Sequence, residues 1–374
     1  MRRVVLSSLV AIAAVAAALV IAGTSDSSDP LSHRGAKAAA AVSRVKATTT
    51  TTAASTTTTR PRRGSGAAVT LVFGGDTHFE GVLRSKLDAN PNGMFSLIAG
   101  VLSGADVAMV NLETAIATGG APDSKAYNFR APSSAFEALR TAGIDVVTMA
   151  NNHGRDYGAA GLAETLAAKQ QTPLAIVGIG ANAEEAYRPW RTEVRGQRLA
   201  FFGATDVLDD WLITSWTATD AQPGLASTKT SALDRLVAEI RAARADTDTI
   251  VVYLHWGVEG TTCPSGRQQE LAQALTDAGA DIVVGSHTHR VLTAGHLGTA
   301  FVDYGLGNFA FYNESGESGV TGALKLTVTG RDVDASEWLP ARIRSGIPQL
   351  LDGAAATSDR DAFAARRACA GLAP

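Results

Sequence analysis

Short apolar runs alternate with longer amphipathic segments along most of the chain after residue 68. The runs have the length and β-branched content of buried strands, and the segments between them repeat apolar residues at helical spacing. The predicted strands are Val69–Gly74, Asp106–Asn111, Asp145–Ala150, Leu174–Ile179, Leu199–Ala204, Thr249–His255, Asp281–Ser286 and Ala300–Tyr304. The predicted helices are Ser133–Ala142, Ala159–Lys169, Ser227–Ala245 and Arg267–Ala278. This alternation is typical of an α/β domain.

After Val320 the pattern changes to strand and loop, with Gly322–Val328 and Ser336–Ile343 as candidate strands. No second linker interrupts the roughly 300 residues after the first strand begins, and this length fits one large domain. We therefore predict a single domain over residues 68–345, followed by a C-terminal extension over 346–374 that packs on it.

The N-terminus has a different character. Two arginines, Arg2 and Arg3, precede an uncharged apolar run that ends at Gly23, which is the layout of a secretory signal peptide. The run is also long enough to remain as a membrane anchor. Both alternatives export the rest of the chain. Residues 24–67 are rich in Thr and Ala and have too few large apolar residues to form a core, so we predict a disordered linker.

Charge is distributed unevenly along the 374 residues, whose formal net charge is −3. Residues 1–66 hold nine Lys or Arg and two Asp or Glu, which leaves 24 basic and 34 acidic residues for the rest. An acidic body of this kind argues against nucleic-acid binding, because phosphate backbones require a cationic face. It is compatible with cation binding.

The chain has two cysteines, Cys263 and Cys369. In an exported, oxidised protein an even and low count favours one disulfide. Such a bond would tie the C-terminal extension to the domain.

Metal-capable side chains follow the predicted strands at the point where each strand ends. Five of the seven histidines lie there, together with two carboxylates and an asparagine. In chain order these side chains are Asp76, His78, Glu113, Asn152, His153, His255, His287 and His289. Open α/β sheets bind ligands at the carboxyl ends of their strands, so we expect this set to converge.

The set has the composition of a site for two divalent ions. Such a site needs a bridging carboxylate with imidazole and oxygen ligands on both sides, and it activates water for attack on a phosphoryl-type group. Residues two apart on an extended strand end, such as Asp76 and His78, point the same way. Mixed imidazole and carboxylate ligands fit Mn, Fe or Zn better than Ca, and the choice among the three stays open.

Six segments in this order resemble a known family. The order of ligands is similar to that of the calcineurin-like metallophosphoesterase superfamily. More closely, the chain resembles the CapA family of poly-γ-glutamate capsule-synthesis proteins in the segments GGDTHFE, NLET, ANNHGRDYGAAGLAET, HWGVE, GADIVVGSHTHR and YGLGNF. The resemblance covers about Val69 to Tyr312. It implies a metallophosphoesterase-like sandwich of two packed mixed β-sheets flanked by α-helices.

The resemblance also implies roles for individual residues. It assigns a first metal to Asp76, His78 and His289, a second metal to Asn152, His255 and His287, and the bridging position to Glu113. It makes His153 the general acid that protonates a leaving group. Two features depart from the pattern: a glutamate occupies the bridging position, where the superfamily usually has aspartate, and His78 is present where many CapA-type sequences lack it.

Five further residues are candidates for substrate contact, each with a structural alternative. Arg130 can clamp a carboxylate or phosphate, or form a surface ion pair. Asp156 and Tyr157 can orient His153 and line a pocket, or start a helix. Glu259 can bind an amine or be a solvated loop acid. Asn308 lies in a glycine-rich return, where a turn role and a site role are equally open.

Three functional hypotheses follow. The first is an exported CapA-like protein that makes, exports or attaches an anionic polymer of the poly-γ-glutamate type, within a capsule-synthesis membrane complex. The second is an exported metal-dependent phosphoesterase that acts on a phosphorylated substrate of the cell envelope. The third is a non-catalytic assembly partner, against which the complete ligand set with its neighbouring His153 argues. An uncleaved N-terminal segment would add contact with the membrane.

Overall fold

Two β-sheets pack face to face and carry helices on their outer faces in the computed structural model, which describes residues 63–374. The predicted signal or anchor over 1–23 and nearly all of the predicted linker lie outside the described residues. All described residues belong to one compact unit. None of its helices is long and apolar enough to cross a membrane.

The strands largely match the apolar runs of the sequence. In chain order they are β1 (Val69–Thr77), β2 (Val107–Leu112), β3 (Ala115–Ile116), β4 (Arg130–Ala131), β5 (Val146–Thr148), β6 (Ala175–Val177), β7 (Ile179–Gly180), β8 (Trp190–Val194), β9 (Gln197–Thr205), β10 (Gly224–Leu225), β11 (Thr249–His255), β12 (Ile282–Ser286), β13 (Ala294–Leu297), β14 (Ala300–Asp303), β15 (Asn308–Ala310), β16 (Val320–Thr329), β17 (Asp332–Arg344) and β18 (Ile347–Leu350).

The helices of the described residues connect these strands. They are α1 (Val82–Ala89), α2 (Ser96–Leu102), α3 (Ser134–Thr141), α4 (Gly158–Lys169), α5 (Ala183–Tyr187), α6 (Ile213–Trp216), α7 (Ala232–Ala243), α8 (Gly266–Ala278), α9 (Gly353–Ala365) and α10 (Arg367–Ala370). The predicted helix over Ser227–Ala245 begins later, at Ala232, because the segment before it turns to pair with other strands. Local sequence explains α8 well, since Ser265 and Gln268 form a capping box at its start.

Both sheets are mixed. The first has the order β18-β17-β16-β1-β2-β5-β6, with β15 also paired to β1, and its strands β1, β2, β5 and β6 are parallel. The second has the order β13-β14-β12-β11-β9-β8, with β14, β12, β11 and β9 parallel. This architecture confirms the predicted sandwich of two mixed sheets flanked by helices.

Alternation along the central strands builds the layers. In β1 the side chains of Leu71 and Phe73 face the core between the sheets, and Val72 faces the helices on the other side. In β11 Val251 and Tyr253 likewise point inward. Because both faces of these strands are covered, their sequences are almost continuously apolar.

The segment after residue 345 is part of this packing. Strand β18 pairs with the end of β17, and α9 packs on β17, with the ring of Phe363 stacked on that of Trp338 at 4.6 Å. The disulfide predicted from the sequence is present and joins Cys263 to Cys369. It ties the C-terminal helices to the loop between β11 and α8.

Candidate metal centre

The carboxyl ends of five parallel strands meet at one edge of the sandwich. Strands β1 and β2 lead into Asp76 and Glu113, and β11 and β12 lead into His255 and His287. The loop after β5 adds Asn152. These side chains come together because parallel strands of both sheets end on the same side.

A glycine makes this convergence possible. A Cβ on Gly75 would lie 1.9 Å from the carbonyl oxygen of Gly307, so any other residue would push β1 away from the turn before β15. The next residue, Asp76, donates its backbone N–H to the same carbonyl at 2.9 Å. The close approach fixes the position of the Asp76 carboxylate.

Two groups of potential ligands share one carboxylate. Glu113, His255 and His287 form one group, and Asp76, Glu113 and His289 form the other; within each group the ligand atoms lie within 4.8 Å of one another. All but His289 are fully buried, and His289 is partly buried. The shared residue Glu113 is the one that the resemblance assigns to the bridge.

Three buried ligand atoms in these groups have no hydrogen-bond partner. They are both carboxylate oxygens of Glu113 and the Nδ1 of His287. Leaving such atoms unpaired costs about 1–3 kcal/mol each, so buried polar atoms of folded proteins normally find a partner. Carboxylate and imidazole donors of this kind fit a divalent cation, and the site is compatible with divalent metal ions.

Burial and neighbouring charges shift the pKa values of the two carboxylates, Asp76 and Glu113, in opposite directions. Burial, and then the negative charge of Asp76, raise the pKa of Glu113 well above its usual value. Burial also acts on Asp76, but its contact with His289 and the nearby His255 outweigh burial and lower the pKa of Asp76. The pKa values of the two carboxylates are thus shifted in opposite directions, and binding of a cation would favour the ionised form of Glu113.

Asn111 and Asn152 contact the two ring nitrogens of His255. The Asn111 amide donates to Asp76 Oδ1 at 2.7 Å and faces His255 Nδ1 at 3.1 Å, while its own oxygen accepts from Asn151 at 2.9 Å. His255 Nε2 lies 2.7 Å from Asn152 Oδ1. Asn111 thus has the geometry of a residue that positions its neighbours. The sequence analysis did not assign this role, because Asn111 was predicted only as the last residue of a strand.

Asn308 holds His289. Its side-chain nitrogen donates to the carbonyl of Ser318 at 3.0 Å, so its oxygen faces His289 Nδ1 at 2.8 Å. In the neutral ring of His289 the proton is therefore on Nδ1, and Nε2 is the nitrogen that can act as a ligand. Burial opposes protonation of His289, but the contact with Asp76 and the charge of Glu113 raise its pKa to about 9 in the metal-free site. Of the two open readings of Asn308, the geometry favours the site role.

The backbone around His287 and His289 is unusual. Both residues have positive φ angles, 95° and 51°. Side chains other than glycine rarely adopt this region, and such strain concentrates at functional sites. The turn aims both imidazoles at the carboxylates instead of along the strand.

The resemblance assigned His78 to the first metal, but the structure places its ring outside both groups. The ring stacks on Phe129 at 4.7 Å, and its two nitrogens face the backbone N–H groups of Glu80, at 3.0 Å, and Tyr312, at 3.2 Å. The register of β1 against its neighbour shifts directly after Asp76. Because of this shift, the alternation that would aim both side chains the same way does not hold.

His153 stands beside the shared carboxylate and is backed by a buried ion pair. Its Nε2 lies 3.9 Å from Glu113 Oε1, and its Nδ1 contacts Asp156 Oδ2 at 2.5 Å. Asp156 also pairs with Lys125 at 2.6 Å, and the Lys125 ammonium donates to the carbonyl of Asn152 as well. The orienting role considered for Asp156 matches this geometry. No periodic pattern marks Lys125, and the sequence analysis missed it.

The other substrate candidates lie around this centre. The guanidinium of Arg130 stacks over the ring of Tyr157 at 4.7 Å and its Nη1 donates to the carbonyl of Thr118 at 3.4 Å. Neither residue belongs to the two ligand groups. Glu259 is exposed and lines a cavity that reaches Asn152.

Comparison with known proteins identifies the family. The profile of the family described as "Bacterial capsule synthesis protein PGA_cap" matches residues 70–313, which is more than half of the chain and includes every potential ligand described above. The chain belongs to this family. The PGA_cap match begins inside β1 and ends after β15, so it covers both sheets apart from β16 to β18.

Two curated relatives show the same relationship. The chain is 31% identical over 231 residues to the "Capsule biosynthesis protein CapA" of Bacillus anthracis, which covers 62% of this chain and 55% of the relative. It is 31% identical over 229 residues to the "PGA biosynthesis protein CapA" of Bacillus subtilis, which covers 59% and 58%. The chain thus spans little more than half the length of these relatives.

Solved structures with a related arrangement include a putative 5'-nucleotidase from Staphylococcus aureus in complex with alpha-ketoglutarate. It is 16% identical, the match covers 80% of this chain and 58% of that one, and the TM-score is 0.47.

Proposed function

We propose that this PGA_cap protein is an exported, metal-dependent enzyme of capsule synthesis. It carries out hydrolysis or transfer on an anionic polymer of the poly-γ-glutamate type, using two divalent ions of Mn, Fe or Zn. Membership of the family and the names of its relatives support the capsule role. The export signal rests on the sequence of residues 1–23.

One observation carries the metal-dependent part of the proposal. Glu113 is fully buried, belongs to both ligand groups, and has no hydrogen-bond partner for either oxygen. A carboxylate with two free oxygens between two sets of imidazoles is the donor arrangement that a dinuclear site needs. In this arrangement His255 and His287 would hold one ion, and Asp76 and His289 the other. Asn152 would bind the same ion as His255 and His287, through its side-chain oxygen.

When bound, the two ions supply Lewis acidity for attack by water or another nucleophile on an acyl or phosphoryl group. The protein contributes a proton at His153 Nε2, next to the shared carboxylate. Asp156 accepts from His153 Nδ1, which sets the orientation of the ring. Burial lowers the pKa of His153, and the contact with Asp156 opposes that shift. Lys125 neutralises Asp156 from the far side, so the His153 ring stays aimed at Glu113.

The proposed partners follow from the same reading. An anionic polymer or a phosphorylated envelope substrate would approach the strand ends, and a capsule-synthesis membrane complex would receive the product. An N-terminal segment that stays attached would hold the protein at the membrane. The acidic body makes nucleic acid an unsuitable partner.

The test is metal content per chain, by elemental analysis, for the wild type and for Glu113→Ala, with Glu137→Ala as an exposed control. Two metals per chain in the wild type and the control, falling below one in Glu113→Ala, are the expected result. One metal or none, unaffected by Glu113, would overturn the dinuclear mechanism.

A second measurement addresses the reaction. His153→Gln should keep both metals and lose turnover, because its nitrogen is close to the shared carboxylate without belonging to either ligand group. Purified poly-γ-glutamate and a generic phosphodiester serve as parallel substrates for the metal-loaded full chain. Turnover of the diester alone would replace the capsule role with that of a phosphoesterase unrelated to capsule.

A further inference from the structure

A cavity of about 440 Å³ opens directly beside the proposed metal centre. Asn152 and His287 line it on the side of the ligand groups. The other walls come from the loop after β9, the segment before α7, the loop after β11 and the start of α8. Three charged side chains on these walls, Lys229, Glu259 and Arg267, matter for what the cavity can hold.

Two of these charges have no partner within the described part of the chain. Neither the ammonium of Lys229 nor the carboxylate of Glu259 makes a hydrogen bond or ion pair there, and they do not pair with each other although they line the same cavity. Arg267 differs, because it pairs with Asp206 at 3.1 Å and donates to the carbonyl of Thr228. The cavity therefore presents one free cation, Lys229, and two free carboxylates, since Asp209 also lines it and likewise has no partner in the described residues.

Lys229 and Glu259 line the same cavity as Asn152 and His287, which belong to the proposed metal-binding residues. A ligand that contacts Lys229 and Glu259 would thus lie next to the reacting groups.

The backbone segments that carry the two charges are held in place. Lys229 follows Thr228, whose hydroxyl donates to Asp206 at 2.7 Å, and its own N–H donates to Ser227 Oγ at 3.0 Å. The loop of Glu259 is fixed by the next residue, whose N–H donates to the carbonyl of Thr288 at 2.8 Å, and by the disulfide at Cys263. Fixed charges favour a ligand whose own charges have a matching spacing.

We propose that this cavity binds an amino-acid or peptide end of the substrate, with its carboxylate at Lys229 and its ammonium at Glu259. The inference rests on the proposed function and names the substrate class of the same site. A ligand with both charges satisfies both walls, whereas a purely anionic group leaves Glu259 unpaired and repelled. Arg267, already paired, adds a second positive group on the same wall.

The test compares three dipeptide probes that differ only in their charged ends. Alanylalanine has both charges, its N-acetyl derivative lacks the ammonium, and its C-terminal amide lacks the carboxylate. Binding to the full chain is measured by ligand-observed NMR titration, once with a chelator present and once with added Mn²⁺. We expect alanylalanine to bind at least tenfold more tightly than either blocked probe.

Two variants test which charged end of the dipeptide each side chain binds. Lys229→Met should lower the affinity for alanylalanine to that of the amide, and Glu259→Gln should lower it to that of the N-acetyl derivative. Lys86→Met is the matched control, because Lys86 lines a different cavity and should leave all three affinities unchanged. Equal binding of the three probes, or an unchanged order in both variants, would overturn the proposal.

Inorganic phosphate is the competing probe. The proposal would also be overturned if phosphate binds through Lys229 and displaces alanylalanine more effectively than the two blocked dipeptides do. Failure of the proposed function would be seen in a different measurement, namely the metal content. A chain that binds no metal can still bind alanylalanine more tightly than the two blocked probes when the chelator is present. The two results are therefore read separately.

Discussion

Replacing Glu113 by glutamine should stabilise the metal-free protein and weaken metal binding. The carboxyl of Glu113 is buried without a hydrogen-bond partner, and burial raises its pKa well above its usual value. Without metal the folded protein therefore holds the Glu113 proton to a higher pH than the unfolded chain does. Folding therefore requires proton uptake, and this requirement costs more as the pH rises.

The size of the effect follows from proton linkage. Stability changes by about 1.4 kcal/mol per pH unit for one proton, and the folded state of the wild type holds the extra proton. Glutamine has the same shape and no such proton. Glu113→Gln should thus equal the wild type near pH 4.5 and exceed it by up to about 1.4 kcal/mol for each further pH unit, until the pH reaches the raised pKa of Glu113. Each 1.4 kcal/mol corresponds to a gain of about 2 °C in melting temperature for a domain of roughly 300 residues.

The assay is denaturant unfolding of both proteins in a chelator at pH 4.5, 5, 5.5 and 6, followed by fluorescence. Glu137→Gln is the matched control, because this exposed glutamate contacts only Arg140 and Thr141 of its own helix among the described residues. Such surface contacts contribute little to stability, so the control should stay close to the wild type. Repeating the series with Mn²⁺ should reverse the order, since the wild type gains more from metal.

The reasoning is refuted if Glu113→Gln is no more stable than the wild type at pH 6, or if the stability difference does not grow with pH. Either result would mean that Glu113 is ionised in the metal-free fold. A cation other than a metal would then have to compensate its charge.

Three further outcomes are expected. Asn308→Ala removes the oxygen that orients its histidine and should weaken metal affinity about 10- to 100-fold, measured by competition with a chelator. Lys125→Met leaves the buried Asp156 carboxylate without its cation and should destabilise the protein by about 3–5 kcal/mol in denaturant unfolding. Reduction of the Cys263–Cys369 bond, whose sequence separation is 106, should cost about 2–4 kcal/mol in the same assay.

Each of these outcomes has a control. Asn92→Ala, on the surface, should leave metal affinity unchanged, and an equal loss in both variants would contradict the role of Asn308. Lys325→Met removes an exposed lysine whose ammonium is 4.0 Å from Glu337 and should cost less than about 1 kcal/mol. A double serine variant at the two cysteines should not respond to reductant, and a response there would assign the stability loss to another effect.

Strand ends were the part of this structure that the sequence revealed best. The central strands are buried on both faces, so their apolar runs are continuous and stop abruptly at Asp76, Glu113 and His255. The same rule placed His287 and His289 together, and the structure brings all five side chains into the two groups. Apolar periodicity and the position of polar residues after strands were sufficient for this result.

What the sequence missed depends on local geometry. The ring of His78 turns away because β1 changes register after Asp76, and strand periodicity carries no signal for such a shift. Asn111 was read as the end of a strand, although its amide contacts two ligand residues. Lys125 lies in an irregular loop, where only the folded structure shows that its charge reaches Asp156.

The arrangement of the first sheet determines when the site can form during synthesis. Strand β1 is made first, yet its neighbours include β16, with Val69 opposite Val328. Loops of this length close late, because their entropy must be lost before the pairing stabilises anything. A nascent chain that ends before β16 leaves residues 69–73 of β1 without this neighbour, although Asp76 itself pairs with β2 and β15. Metal uptake is therefore expected to be a late event, and truncation before β16 should weaken the site even though every ligand residue is still present.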